Sequence, residues 1–351
     1  MTLLTVLQVV IALGVLVFVH ELCHFIVARA LGMTVVSFTV GFGPEIVGFT
    51  RGGVRYAVCW VPLGGKVELK GGELPQDGQT DYPPDTFFGA PWWKRALMAL
   101  SGPAGNYLFA AFVFTVIVMV WGVVLDPASG TPVVSAVLPD TPAARAGLQP
   151  MDMLLRVDGS SVASVKDLQQ IIRAAPDRDL LFDVGRGTAI VSITVRPGRD
   201  PDSGDGRIGV SLMGMGVKQK VGWWPAVVIG VAQPYYLTVM QLVELWRRIT
   251  AFQKVELAGP IGIFQMMAQK STAEDFLFKV GIISTALGMF NLFPIPVLDG
   301  GHILFALLEA VTRRKPSRKL LERATLAGLA LVLLVFLFAT YSDLLRVFGR
   351  G

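Results

Sequence analysis

The chain has 351 residues, 53% of them hydrophobic and only 16% charged, where a soluble domain carries about 25% charged residues. The missing charge is concentrated in a few long apolar runs, which excludes a wholly soluble protein and describes a multi-pass membrane protein with one modest water-soluble part. The net charge of +5 does not argue for nucleic acid, because the clearest basic cluster, Arg313, Arg314, Lys315, Arg318 and Lys319, lies between two apolar segments and is better placed to hold a short loop at a cytoplasmic membrane face.

The first apolar run covers residues 3–19. A signal peptide is the competing interpretation, and Ala28-Arg29-Ala30 resembles a cleavage site, but no positive residue precedes the run. A second crossing is expected at residues 107–125, starting near residue 96. The third lies within 276–311 and the fourth at 324–341. Arg51, Arg55, Lys66, Lys70, Lys94 and Arg95 follow the first run, and the basic cluster follows the third, so four crossings put both on the inner side. The stretch from 126 to 275 then faces outward. Pro294 and Pro296, followed by Gly300 and Gly301, cannot share one unbroken helix. A broken span is tolerated only inside protein or beside a wet cavity, which predicts a polar site at residues 291–302.

Between the second and third crossings, Val133 to Val137, Leu154 to Val157, Leu180 to Val184 and Ile190 to Val195 read as strands. Residues 165–174 read as a helix with Leu168, Ile171 and Ile172 on one face. The run Pro139-Asp140-Thr141-Pro142-Ala143-Ala144-Arg145-Ala146-Gly147-Leu148, with Asp152 and Val157-Asp158-Gly159, resembles a PDZ domain of the bacterial protease type. Such a domain either takes an extended peptide as an added strand or serves as a spacer or steric gate. Residues 223–252 mix aliphatic and aromatic residues with Gln241, Glu244, Arg247 and Arg248, which suits amphipathic helices at the membrane surface. A further crossing there would move the basic cluster to the outer side.

The chemistry-bearing residues stand on the membrane spans. His20-Glu21-Leu22-Cys23-His24 closes the first run, and two imidazoles four residues apart on a helix face one way and can share a metal ion. Glu21 beside them can act as general base toward water activated by that ion. These two histidines are among only three in the chain, and ionisable residues in a bilayer, which cost about 2.5–3.5 kcal/mol at its centre, are functional by default. The 18 steps from Thr2 to His20 rise about 27 Å at 1.5 Å each, near the inner edge of the hydrocarbon. The two cysteines, Cys23 and Cys59, cannot build a cysteine zinc site. A catalytic zinc needs a third protein ligand. Asp299 is the favoured candidate, being a carboxylate in otherwise apolar text, and His302 is the alternative.

Together, these motifs resemble the site-2 protease family of intramembrane metalloproteases, in its branch of bacterial sigma-factor regulators. The resemblance runs over nearly the whole chain and includes Val61-Pro62-Leu63-Gly64-Gly65, Ser101-Gly102-Pro103-Ala104-Gly105-Asn106, Ala258-Gly259-Pro260-Ile261-Gly262 and Asn291-Leu292-Phe293-Pro294-Ile295-Pro296-Val297-Leu298-Asp299-Gly300-Gly301-His302. It implies a multi-pass α-helical membrane protein with four transmembrane helices, an inserted α+β PDZ domain and a membrane-associated β-hairpin. The expected segments are helix 1 at 1–30, a cytoplasmic-side loop with the hairpin at 31–95 and helix 2 at 96–126. A PDZ domain at 128–216, surface helices at 220–275, the broken helix at 276–311 and helix 4 at 322–343 complete the chain. The resemblance also implies zinc on His20, His24 and Asp299, Glu21 as base, and Asn291, Gly64 and Gly65 facing substrate. The hairpin around residues 56–69 would pair with an unwound substrate, and Val54, Tyr56, Val58 and Trp60 alternate as a strand should. Expected substrates are membrane-spanning proteins already cut on their outer side, such as anti-sigma factors and remnant signal peptides. The expected place is the bacterial inner membrane, with the PDZ domain on the periplasmic or extracellular side and the active site near the cytoplasm. Many Gram-negative relatives carry two PDZ domains, whereas this chain has room for one. A tethered PDZ adaptor with an inactive metal site and a metal carrier are the rival classes. An intact Glu21 speaks against the adaptor, and a single broken span speaks against the carrier.

Overall fold

The computed structural model describes residues 3–73, 82–124, 130–187, 189–200, 203–216, 218–250 and 259–348. Leu125, at the expected end of the second crossing, Ala258 and part of the loop before residue 82 lie outside them. In chain order the elements are α1 (Leu3–Ala30), β1 (Val35–Arg51), β2 (Val54–Leu69), α2 (Trp92–Trp121), β3 (Thr131–Val137), α3 (Pro142–Ala146), β4 (Met153–Val157), β5 (Ser160–Ser161), α4 (Val165–Arg173), β6 (Leu180–Arg186), β7 (Ala189–Val195), β8 (Gly198–Arg199), β9 (Gly206–Arg207), β10 (Val210–Met215), α5 (Trp223–Thr250), α6 (Pro260–Ala268), α7 (Ala273–Asn291), α8 (Asp299–Thr312) and α9 (Arg318–Phe348). They form two compact units, Met1–Val118 with Gly222–Gly351, and Met119–Val221.

In the first unit, helix α1 runs 28 residues and carries no charge before the His20-Glu21 pair. The motif therefore sits inside a continuous helix rather than at its end. Helix α2 packs antiparallel to α1 through glycines that let the backbones approach. A Cβ on Gly102 would lie 2.3 Å from His24 Nε2, and one on Gly105 would lie 2.4 Å from Cys23 Sγ.

The segment expected to lie on the membrane surface is instead a single 28-residue helix, α5. It runs lengthwise along α2: Gly230 touches Thr115, and Thr238 Oγ1 is 2.7 Å from Tyr107 Oη, so moving forward on α5 moves backward on α2. The cause is legible in hindsight. Glu244, Arg247 and Arg248 crowd the end of α5 rather than forming a stripe, so its first four turns carry no charge. Among the described residues, the helices long and apolar enough to cross a membrane are α1, α2, α5 and α9. Helix α7 is not one of them, because Glu274, Asp275 and Lys279 lie in its first two turns. It nonetheless lies against α2, with Gly281 on Phe114 and Gly288 on Tyr107.

The break predicted from the prolines is present. Helix α7 ends at Asn291 and α8 starts at Asp299. The two glycines belong to the first turn of α8, where a side chain would strike the connecting backbone: a Cβ on Gly300 would lie 2.2 Å from Phe293 O, and one on Gly301 2.4 Å from Ile295 O. A buried ion pair between Arg95 and Glu309 ties the start of α2 to the far end of α8, and the Arg95 guanidinium also lies over Phe87 and Phe88. The 259–262 glycines are explained by α9, since the Gly262 N–H donates to Asp343 Oδ2 at 2.8 Å and neither Gly259 nor Gly262 has room for a Cβ beside it.

The β-hairpin is larger than expected, because β1 was read as loop. Glycines at φ +89° and +90° (Gly41 and Gly43) bend β1, and the hairpin folds on itself. Phe38 pairs with Val67 on one side and with Tyr56 on the other, while Tyr56 also pairs with Phe49. Residues 65–69 thus form a free edge among the described residues. Val58 and Trp60 face outward, and Ala57 and Cys59 are buried.

In the second unit, an antiparallel sheet of strands ordered β10-β3-β4-β6-β7, with β5 on β4, packs against α4. Thr141 and Ser164 cap α3 and α4 with their side-chain oxygens. Leu168 and Ile172 fill the core with Val134, Leu154, Phe182 and Val195. Asp152 is buried, which raises its pKa, but two bonds from Arg186 and one from the Gln149 N–H outweigh that and hold it below the ordinary carboxylate range.

Candidate active site

Helix α1 delivers His20, Glu21 and His24, and the restart of the broken span delivers Asp299. The three candidate ligand groups converge. His20 Nε2 is 3.2 Å from His24 Nε2 and 3.1 Å from Asp299 Oδ2, and His24 Nε2 is 3.3 Å from Asp299 Oδ1. Four ligands at about 2.0–2.1 Å around a tetrahedral zinc stand about 3.3 Å apart, and the three groups, with one ligand atom each within 4.8 Å of the others, are close enough to share one ion.

The donor chemistry leads to the same fit. His24 Nδ1 is 2.8 Å from Met98 O, a carbonyl that can only accept, so the ring hydrogen is on Nδ1 and Nε2 presents a lone pair. That lone pair faces a second imidazole nitrogen and a carboxylate. Asp299 Oδ2 is buried and has no hydrogen-bond donor among the described residues. Electron-rich atoms held this close need a cation between them. His302, the alternative ligand, is not in the cluster; its ring packs edge-on against Phe87.

A cavity of about 400 Å³ opens on this cluster. Its walls bring together the expected site residues His20, Glu21, His24, Asp299, Asn291, Gly64 and Gly65, with His302 also on the wall. The Val67 backbone hydrogen-bonds Glu21, so the free edge of the hairpin holds that carboxylate. Both glycines are required by close approach. Gly64 has φ +97°, and a Cβ on it would overlap the Phe42 ring at 2.1 Å, while a Cβ on Gly65 would lie 2.6 Å from Glu21 Cγ. Helix α2 supplies the remaining wall, and its residues were not foreseen as site residues. Met98 O and Ser101 Oγ meet His24 Nδ1, Gly102 clears room for both imidazoles, and Asn106 reaches His20. The run from Ser101 to Asn106 had been recognised as a motif with no role attached.

The model of Peptidase family M50 matches residues 8–335. The chain belongs to peptidase family M50, the site-2 protease family. Relatives named "Putative zinc metalloprotease" match this chain over nearly its whole length. One from Rhizobium meliloti is 33% identical over 96% of this chain and 95% of its own. One from Mesorhizobium japonicum is 33% identical over 97% and 98%, and one from Campylobacter jejuni is 29% identical over 98% and 94%. Among solved structures, the PDZ domain of an SdrC-like protein of Listeria monocytogenes is similar, with 21% identity over 24% of this chain and 87% of that one and a TM-score of 0.22. This M50 peptidase is an integral membrane protein, as its apolar helices require.

Proposed function

We propose that this M50 peptidase is a zinc-dependent endopeptidase that hydrolyses peptide bonds of membrane-spanning segments. His20, His24 and Asp299 hold the metal and Glu21 is the general base. The convergence of the three ligand groups on one point beside Glu21 carries this reading. Zinc in that position supplies a Lewis acid for the scissile carbonyl and lowers the pKa of water toward about 7. Glu21, oriented by the Val67 backbone, accepts the proton of the attacking water and returns it to the leaving nitrogen. Asn291, at the end of α7 and on the cavity wall, contacts the substrate strand or stabilises the developing oxyanion.

A helical substrate hides its amides in intrahelical bonds and must unwind before cleavage. The edge at residues 65–69 offers those amides new partners, and Gly64 and Gly65 on the cavity wall face the substrate strand. In the second unit, a cavity of about 470 Å³ lies beside α4 and edge strand β10, lined by Ile172, Arg173, Ile208, Val210 and Leu212. We read that unit as a single PDZ domain whose groove receives an extended peptide end. Substrates trimmed on the outer side, including anti-sigma factors and signal-peptide remnants, suit this arrangement. The proposed setting is the bacterial inner membrane, with the PDZ unit outside and the active site toward the cytoplasm.

The test is reconstitution in lipid with a labelled transmembrane peptide. Cleavage is expected to stop on chelation and to return with added zinc. Cleavage that survives complete chelation would remove the metalloprotease reading.

A further inference from the structure

We propose that Asn106 is a positioning residue of the metal site, its side-chain oxygen accepting the Nδ1 hydrogen of His20 and so fixing the tautomer whose Nε2 faces the cation. This rests on the assignment of His20, His24 and Asp299 as ligands.

Asn106 is fully buried in the apolar helix α2. A carboxamide in such surroundings is costly unless its groups are hydrogen-bonded. Its side chain meets His20 Nδ1, at 3.0 Å from the carboxamide nitrogen, while Oδ1 is buried with no hydrogen-bond partner among the described residues. The backbone is held in place by Ser284 Oγ, which donates to Asn106 O at 2.8 Å. The two ends of a carboxamide have the same shape, and a half-turn about χ2 exchanges them. What His20 must do decides which end faces it.

The neighbouring ligand shows the requirement. His24 gives its Nδ1 hydrogen to Met98 O, and its Nε2 is thereby a lone pair. His20 has no carbonyl in that position. If the amide nitrogen of Asn106 donated to Nδ1, the neutral ring would carry its hydrogen on Nε2, pointing it at His24 Nε2 and Asp299 and closing the ligand position. With Oδ1 turned to Nδ1, both imidazoles present lone pairs to the same point, and each has an acceptor behind it. An outer acceptor of this kind fixes ring orientation and raises ligand basicity. Pro103 and the two glycines around it let α2 approach closely enough for the side chain to reach.

The experiment uses the full chain in detergent. Zinc affinity is measured by chelator competition for wild type, Asn106→Leu and Asn106→Asp. In parallel, ¹⁵N-histidine NMR of the metal-free wild type reads the His20 tautomer, with His302→Gln and His24→Gln used to assign the other two of the three rings. Asn106→Leu, which keeps the bulk and removes the acceptor, is expected to weaken zinc binding about 10–100-fold. Asn106→Asp, which keeps only acceptors, is expected to bind at least as tightly as wild type, and His20 is expected to show a protonated Nδ1. An Asn106→Asp variant as weak as Asn106→Leu, or a protonated Nε2 on His20, would mean that the nitrogen faces the ring and would overturn the proposal. Wild-type affinity in Asn106→Leu overturns this proposal alone, whereas a wild-type chain with no zinc affinity overturns the metal site as well. Should Asn106→Leu fail to fold, the aspartate variant and the wild-type spectrum still decide.

Discussion

Glu21→Gln is expected to lower cleavage of a transmembrane peptide about 10²–10⁴-fold, the usual contribution of a positioned general base, while zinc content stays that of wild type. Glutamine keeps the shape of the side chain and can still accept from the Val67 backbone, and position 21 is not one of the three ligand groups. What it loses is the capacity to take a proton. The paired readout separates the protease from both rival classes. An adaptor with a structural metal site would lose nothing measurable, since Glu21 is not among the ligands. A carrier would keep its metal traffic. Full cleavage by Glu21→Gln would remove Glu21 from the chemistry and leave the base to another group.

Asp299→Ala is expected to abolish both metal and activity. The carboxylate bridges the two imidazoles at 3.1 and 3.3 Å and supplies the only negative charge in the cluster. Without it, two imidazole lone pairs 3.2 Å apart are left to hold a dication. Loss of an outer-shell partner alone weakens a metal site about 10–100-fold, and loss of a direct ligand should exceed that. Zinc retained through dialysis should fall to background, and cleavage should fall to the level seen under chelation. His302→Gln provides the contrast, because its ring packs on Phe87 outside the cluster, and zinc should be retained. The reverse pattern would transfer the third ligand from Asp299 to His302.

The metal cluster was legible because each member breaks a local rule of the text around it. Two histidines and a glutamate in an apolar helix, and an aspartate in an apolar span broken by two prolines, are expensive unless they meet. The break itself was readable from Pro294 and Pro296, whose missing N–H groups forbid a continuous helix there. The contribution of α2 was much less visible. Met98 acts through a backbone carbonyl, which leaves no trace in residue type, and Gly102 acts through the absence of a side chain. Asn106 did leave a signal, a lone amide in a long apolar run, but nothing local said which group it would face.

The hairpin was undersized for a similar reason. It was expected around residues 56–69, whereas Gly41 and Gly43 adopt left-handed backbone and bend a strand that starts at Val35 and continues to Arg51. Residues 223–250 form one helix, α5, in which Gln241, Glu244, Arg247 and Arg248 lie near the end rather than in a stripe along it. Their positions along the axis, rather than around it, decide how much of a helix can lie in lipid, and most of α5 can.

Zinc-edge X-ray absorption on the zinc-loaded full chain probes the shared cation most directly. Two imidazole nitrogens at about 2.0–2.1 Å and carboxylate and water oxygens at about 2.0–2.2 Å are expected, with no sulfur. A single imidazole, or a sulfur shell at about 2.3 Å showing that Cys23 had displaced one of the three ligands, would contradict it.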